Sequence, residues 1–170
     1  MSSKHIQLLI ITLLLMLLQV TILNRFQLFG WGTPYLFIYG LIRMPIGMPR
    51  WATLTAAFFA GFLLDLFSNT PGLNAGTLTV VAMMRPMFIR LFFPKDIIGS
   101  YMPSPQIVGR WQYWRYTASI VVLHHFLLVF AELFTFAYPL FILGRVVFSI
   151  IATLFFFILF ELLNRGKVKR

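Results

Sequence analysis

The sequence predicts an all-α fold, a polytopic membrane bundle of six transmembrane helices, on three observations. The 170 residues are 60% hydrophobic and only 11% charged, whereas soluble domains average roughly 45–50% apolar and about 25% charged. Apolar runs recur along the chain, several of them near the ~20 residues a helix needs to cross a bilayer. Basic residues gather in alternate gaps between those runs, the pattern that orients membrane helices.

The first helix, residues 6–23, is Leu-rich and interrupted only by Gln7, Thr12, Gln19 and Thr21. It exceeds the ~7–15 residues of a signal-peptide core, and no small-x-small cleavage site follows it, so it reads as a retained helix. Residues 24–32 read as an interfacial stretch, with aromatics at headgroup depth and glycine breaking the helix. Pro34 suits the first turn of a second helix, residues 35–46. About ten helical residues span only ~15 Å, so this helix either crosses as a short element or is re-entrant. The short crossing is favoured, with Arg43 snorkelling to the interface.

The third helix, residues 51–67, spaces Ala52, Ala56, Ala60 and Gly61 for close packing in lipid and carries Asp65 near its end. A turn, Ser68-Asn69-Thr70-Pro71-Gly72, leads to the fourth helix, residues 75–93, which contains Arg85-Pro86. Pro86 removes a backbone donor and is expected to kink it. Residues 94–115 read as a cytoplasmic-side surface loop, with Trp111, Tyr113, Trp114 and Tyr116 anchoring the entrance to the fifth helix, residues 116–138. Pro139 marks a tight turn, the sixth helix covers residues 143–163, and residues 164–170 form a basic tail.

Charge tests this layout. With the N-terminus inside, eleven Lys and Arg residues fall on the inner side, only Arg25 and Arg145 fall outside, and Arg85 is left within the membrane. Both termini are therefore expected in the cytoplasm, and 1–170 is expected to be a single transmembrane domain. The net charge of +10 belongs to this bias rather than to nucleic-acid binding.

The chemistry available is sparse. There are no cysteines and four acids in the whole chain, and no GxSxG, Walker or HEXXH pattern, so no catalytic residue, cofactor or metal is expected. Asp65 within an apolar run has two readings. It either belongs to an ion or substrate site, or, favoured two to one, caps the 68–72 turn and the start of the next helix. Arg85 lies near mid-membrane. Glu132 and His125, seven residues apart on one helix face, are possible intramembrane polar partners, with Glu132 a candidate partner for Arg85 or Arg145.

The sequence Gly61-x-x-x-Asp65-x-x-Ser68, then Pro71-Gly72-Leu73-Asn74-Ala75, then Arg85-Pro86, resembles the MreD family of rod shape-determining membrane proteins. The motif covers about thirty positions; elsewhere the match is one of size and hydropathy, and the 94–115 loop is longer than the family pattern. The resemblance implies a six-helix fold like the S component of energy-coupling-factor transporters, and a multi-pass place in the bacterial inner membrane. It also implies a non-enzymatic role supporting rod shape and lateral peptidoglycan synthesis. The implied partners are an MreC-like periplasmic scaffold, then MreB, RodA and its transpeptidase, with a homodimer as a further arrangement. The alternative is an S-component-like subunit that captures a small substrate for an ABC-type transporter.

Overall fold

The computed structural model of the chain describes residues 3–24, 32–94, 101–133 and 139–165, with side chains over 5–24, 32–94, 101–131 and 143–162. Its elements are all helices: α1 (Ser3–Leu18), continued by a π-helical turn (Gln19–Leu23), α2 (Ile38–Arg43), α3 (Arg50–Ser68), α4 (Leu73–Phe92), α5 (Pro105–Val108), α6 (Arg110–Leu133) and α7 (Pro139–Arg165). Among the described residues five helices, against the six expected, are long and apolar enough to cross a membrane: His5–Leu23, Arg50–Ser68, Leu73–Phe92, Arg110–Ala131 and Leu143–Leu162. Their outer faces carry large apolar side chains, with Phe67 67%, Leu14 59% and Phe155 61% exposed. A belt of this kind suits lipid rather than water.

The core follows helical periodicity. α3 buries Thr53, Ala57, Gly61, Leu64 and Asp65 against α4, which buries Leu78, Val81, Ala82 and Arg85. α4 in turn packs on α6, and α6 on α7. The close approach of α3 to α4 is made by Ala57 and Gly61, while Ala52, Ala56 and Ala60 of the expected small-residue stripe are only half-buried. At Gly61 an added Cβ would lie 2.5 Å from the Ala75 Cα and 2.5 Å from the Asn74 carbonyl oxygen, so only glycine fits.

Several boundaries differ from expectation: α4 begins at Leu73 rather than at residue 75, α7 begins at Pro139, the residue expected in a turn, and α6 and α2 shift further. α6 begins at Arg110, so the second part of the expected 94–115 loop is helix, preceded by α5. Tyr113 and Tyr116, expected as surface anchors, are 2% and 0% exposed: Tyr116 meets Arg85 of α4, and Tyr113 hydrogen-bonds Arg43 at the end of α2; Trp111 alone of that group is strongly exposed. The expected helix over residues 35–46 contracts to Ile38–Arg43. Met44 has ψ of 143°, as the residue before a proline prefers, and this ends the helix before Pro45.

Chain direction explains what residues 32–43 do. The Asn24 side-chain amide donates to Ser68 Oγ at 2.7 Å, so α1 and α3 finish at the same end of the bundle and run parallel. The return is made by an extended stretch followed by α2, antiparallel to α1: Leu36 meets Gln19, and Gly40 meets Thr12. Extended backbone inside a bundle needs donors and acceptors from its neighbours. Here Thr33 N–H donates to Ser149 Oγ at 3.2 Å, Tyr35 N–H to Thr153 Oγ1 at 3.1 Å and Leu36 N–H to Gln19 Oε1 at 3.0 Å. Arg43 then reaches the opposite end. Its guanidinium lies 3.8 Å from the Glu161 carboxylate of α7 and is partly exposed.

Candidate functional site

The residues singled out from the sequence separate into two places along α4. At its start, Thr70-Pro71-Gly72-Leu73 forms a turn closed by Leu73 N–H donating to the Thr70 carbonyl at 3.2 Å. Gly72 sits at φ 82°, ψ −9°, the third position of a type II turn, which demands positive φ, and Pro71 occupies the favoured second position. Asn69, at φ 55°, takes the left-handed conformation that closes α3.

This tight turn folds α4 back onto Asp65. The N-cap of α4, Gly72, has no side chain to offer, so the orphan N–H groups of the first turn need another acceptor. Asp65 supplies it. Its Oδ1 accepts from Asn74 N–H and from the Asn74 side-chain amide, each at 2.9 Å, and from the Thr70 hydroxyl at 2.9 Å. Its Oδ2 accepts from Ala75 N–H at 2.9 Å. The carboxylate is 3% exposed and acts as the N-cap of a helix from seven residues upstream of Gly72, where the helix dipole also favours negative charge. Ser68, one turn on, accepts from the Asn24 side-chain amide, whose Oδ1 accepts from Gln19 Nε2 at 3.0 Å. The capping reading of Asp65 is the one the geometry gives.

Arg85 stands at the other place, eleven residues after Asn74 and so ~16 Å further along the helix. Asp65 and Arg85 are not brought together. The Arg85 guanidinium, 2% exposed, donates through Nε to the Tyr116 hydroxyl at 2.9 Å and through a terminal nitrogen to the Met44 carbonyl. Tyr116 donates onward to the Ile42 carbonyl at 3.3 Å. Both carbonyls belong to the C-terminus of α2, where last-turn oxygens lack intrahelical donors and a cation is favoured. Pro86 follows within an unbroken α4, leaving the Ala82 carbonyl without its usual donor. The Glu132 side chain lies outside the described residues.

His125 is 1% exposed, with Nδ1 2.8 Å from the Val121 carbonyl and Nε2 3.1 Å from Thr153 Oγ1. It thus supports, through Thr153, the extended 33–36 backbone. His124 is fully buried among Tyr35, Phe37 and His125, and neither ring nitrogen has a hydrogen-bond partner. Among the described residues no cluster of three or more His, Asp or Glu side chains forms.

Sequence reasoning gave Tyr116 the role of a surface anchor and assigned no role to the side chains of Glu161, Asn24 and Thr153. Glu161 had the clearest signal, since an acid inside the last apolar run requires a partner. Thr153 had none, because a threonine in a membrane helix ordinarily bonds its own helix, as this one also does. Comparison with protein-family models, curated proteins and solved structures finds nothing that matches this chain.

Proposed function

We propose that this chain is a non-enzymatic scaffold of the MreD type in the bacterial inner membrane. It would bind the transmembrane helix of an MreC-like partner and support rod shape and lateral peptidoglycan synthesis alongside MreB, RodA and its transpeptidase. In this reading residues 32–43 count as a sixth crossing, which keeps both termini on the cytoplasmic side and gives the outline of an S component.

The observation that carries the proposal is the fate of the motif residues. Gly61, Asp65, Ser68, Pro71, Gly72 and Asn74 are all spent on joining α3, α4 and the end of α1. They build a rigid hairpin and leave neither carboxylate oxygen of Asp65 free for a ligand or a reaction. A scaffold requires that rigidity; a catalyst or an ion carrier requires free groups.

The test is affinity capture of the tagged full chain from its native membrane in mild detergent, with the partners identified by mass spectrometry. Recovery of an MreC-like periplasmic protein is the expected outcome, with deletion of the gene turning rods into rounded cells. Recovery of ABC-type ATPases with a transmembrane coupling protein would replace the scaffold with a substrate-capture subunit.

A further inference from the structure

At the end of the bundle opposite the Asp65 cap, α3, α4 and the connection before α3 enclose a cavity of about 380 Å³. That volume lies within the ~300–1,000 Å³ of small-molecule sites. Three arginines, Arg50, Arg85 and Arg90, and no acid are among the residues that line it. Arg85 is the buried one. It spends two of its nitrogens on Tyr116 and Met44, and no carboxylate among the described residues pairs with it. Arg50 and Arg90 are exposed.

The cavity also borders the start of α3. The N-cap there is Pro49, no side chain caps the helix, and the Thr53 hydroxyl turns back onto the Pro49 carbonyl. The first-turn N–H groups, which carry the positive end of the helix dipole, are therefore left without an acidic cap. The contrast with α4 is direct: one helix start receives the buried carboxylate of Asp65, while the other faces a cavity lined with cations.

We propose that this cavity binds a phosphate-bearing anion, either a lipid phosphate headgroup arriving from the bilayer or a free phosphate. The planar guanidinium fork matches phosphate oxygens in pairs, and uncapped helix starts bind the same group. The exposed Arg50 and Arg90, the buried Arg85 and the start of α3 all border this one volume, which concentrates positive charge beside apolar walls. Met83, 63% exposed, lines the cavity as well, so an acyl chain attached to the phosphate has apolar helix surface to lie along. The inference stands apart from the scaffold reading and survives its failure.

The experiment titrates the purified full chain in neutral detergent with dioleoyl phosphatidic acid, following bound lipid by native mass spectrometry, and repeats the titration in millimolar inorganic phosphate. Saturation at one lipid per chain is expected. Competition by inorganic phosphate identifies a free-phosphate site, and its absence identifies a lipid-headgroup site. Arg85→Gln risks misfolding, so the deciding variant is Arg50→Gln with Arg90→Gln at the mouth. Its control is Arg110→Gln with Arg115→Gln, which removes the same charge from exposed positions on α6. The mouth variant is expected to bind at least fivefold more weakly than the control. A smaller difference, or no saturable binding of either probe by the parent, overturns the proposal.

Discussion

Arg85 and Tyr116 lock α4 to α6 and together close the C-terminus of α2: the guanidinium donates to the Tyr116 hydroxyl at 2.9 Å, which donates to the Ile42 carbonyl at 3.3 Å. The phenol is fully buried, so Tyr116→Phe leaves a guanidinium N–H and a carbonyl without a partner and no water to replace it. Removing one member of a buried hydrogen-bonded set costs about 1–3 kcal/mol. Thermal unfolding of the purified protein in detergent is expected to show a lowered midpoint for Tyr116→Phe. An unchanged midpoint would mean that Arg85 does not depend on Tyr116.

Asp65 is expected to act on stability rather than on ligand binding. Asp65→Asn retains one carbonyl oxygen but loses the second acceptor and the negative charge at the start of α4, so it strands at least one of the Asn74 and Ala75 N–H groups. A cost of about 1–3 kcal/mol follows, and Asp65→Ala is expected to cost more. The check is the midpoint of thermal unfolding, with Asn69→Ala as a reference in the same turn. Were Asp65 an ion-site residue instead, Asp65→Asn would leave the midpoint unchanged.

The α3–α4 approach makes two glycines respond in opposite directions. Gly61→Ala drives a methyl group to 2.5 Å from the backbone of Ala75, and overpacking of this kind costs about 1–3 kcal/mol. Gly76→Ala, three positions into the first turns of α4, meets nothing within 4 Å and gains helix propensity of roughly 1 kcal/mol. The expected ordering of unfolding midpoints is Gly76→Ala at or above the parent and Gly61→Ala well below it. A reversed order would refute the packing.

What the sequence revealed and what it hid have a common physical cause. The long apolar runs, the Pro71-Gly72 turn and the Asp65 cap are local, carried by residues within ten positions of each other, and they could be read directly. Arg85 and Glu161 could be recognised as needing partners, but their partners lie 31 and 118 positions away, at Tyr116 and Arg43, and no local pattern points there. The start of α6 is not legible locally, because Trp111, Tyr113, Trp114 and Tyr116 form an aromatic cluster that suits a membrane surface equally well. Only the helical phase, which turns Tyr113 and Tyr116 inward together, decides their fate. The short α2 was legible as short, but the extended 33–36 segment was not, since its hydrogen bonds come from Gln19, Ser149 and Thr153.

That extended segment gives the last prediction. The Val121 carbonyl can only accept, so His125 Nδ1 carries the hydrogen that faces it at 2.8 Å. In the neutral ring Nε2 is then an acceptor, and the single Thr153 hydroxyl hydrogen is shared between it, at 3.1 Å, and the Ser149 carbonyl, at 2.7 Å. The same oxygen accepts the Tyr35 N–H at 3.1 Å. Thr153→Val therefore strands the buried Tyr35 N–H, at a cost of about 1–3 kcal/mol, and takes the shared hydrogen from His125 Nε2, whereas Thr153→Ser keeps these bonds and forfeits a methyl group worth roughly 0.8 kcal/mol. Hydrogen exchange of the peptide covering 33–36 reads this directly. Thr153→Val is expected to accelerate it at least tenfold while leaving α3 protected, with Thr153→Ser close to the parent. Equal exchange in the Val variant and the parent would mean that the segment is held by Ser149 and Gln19 alone.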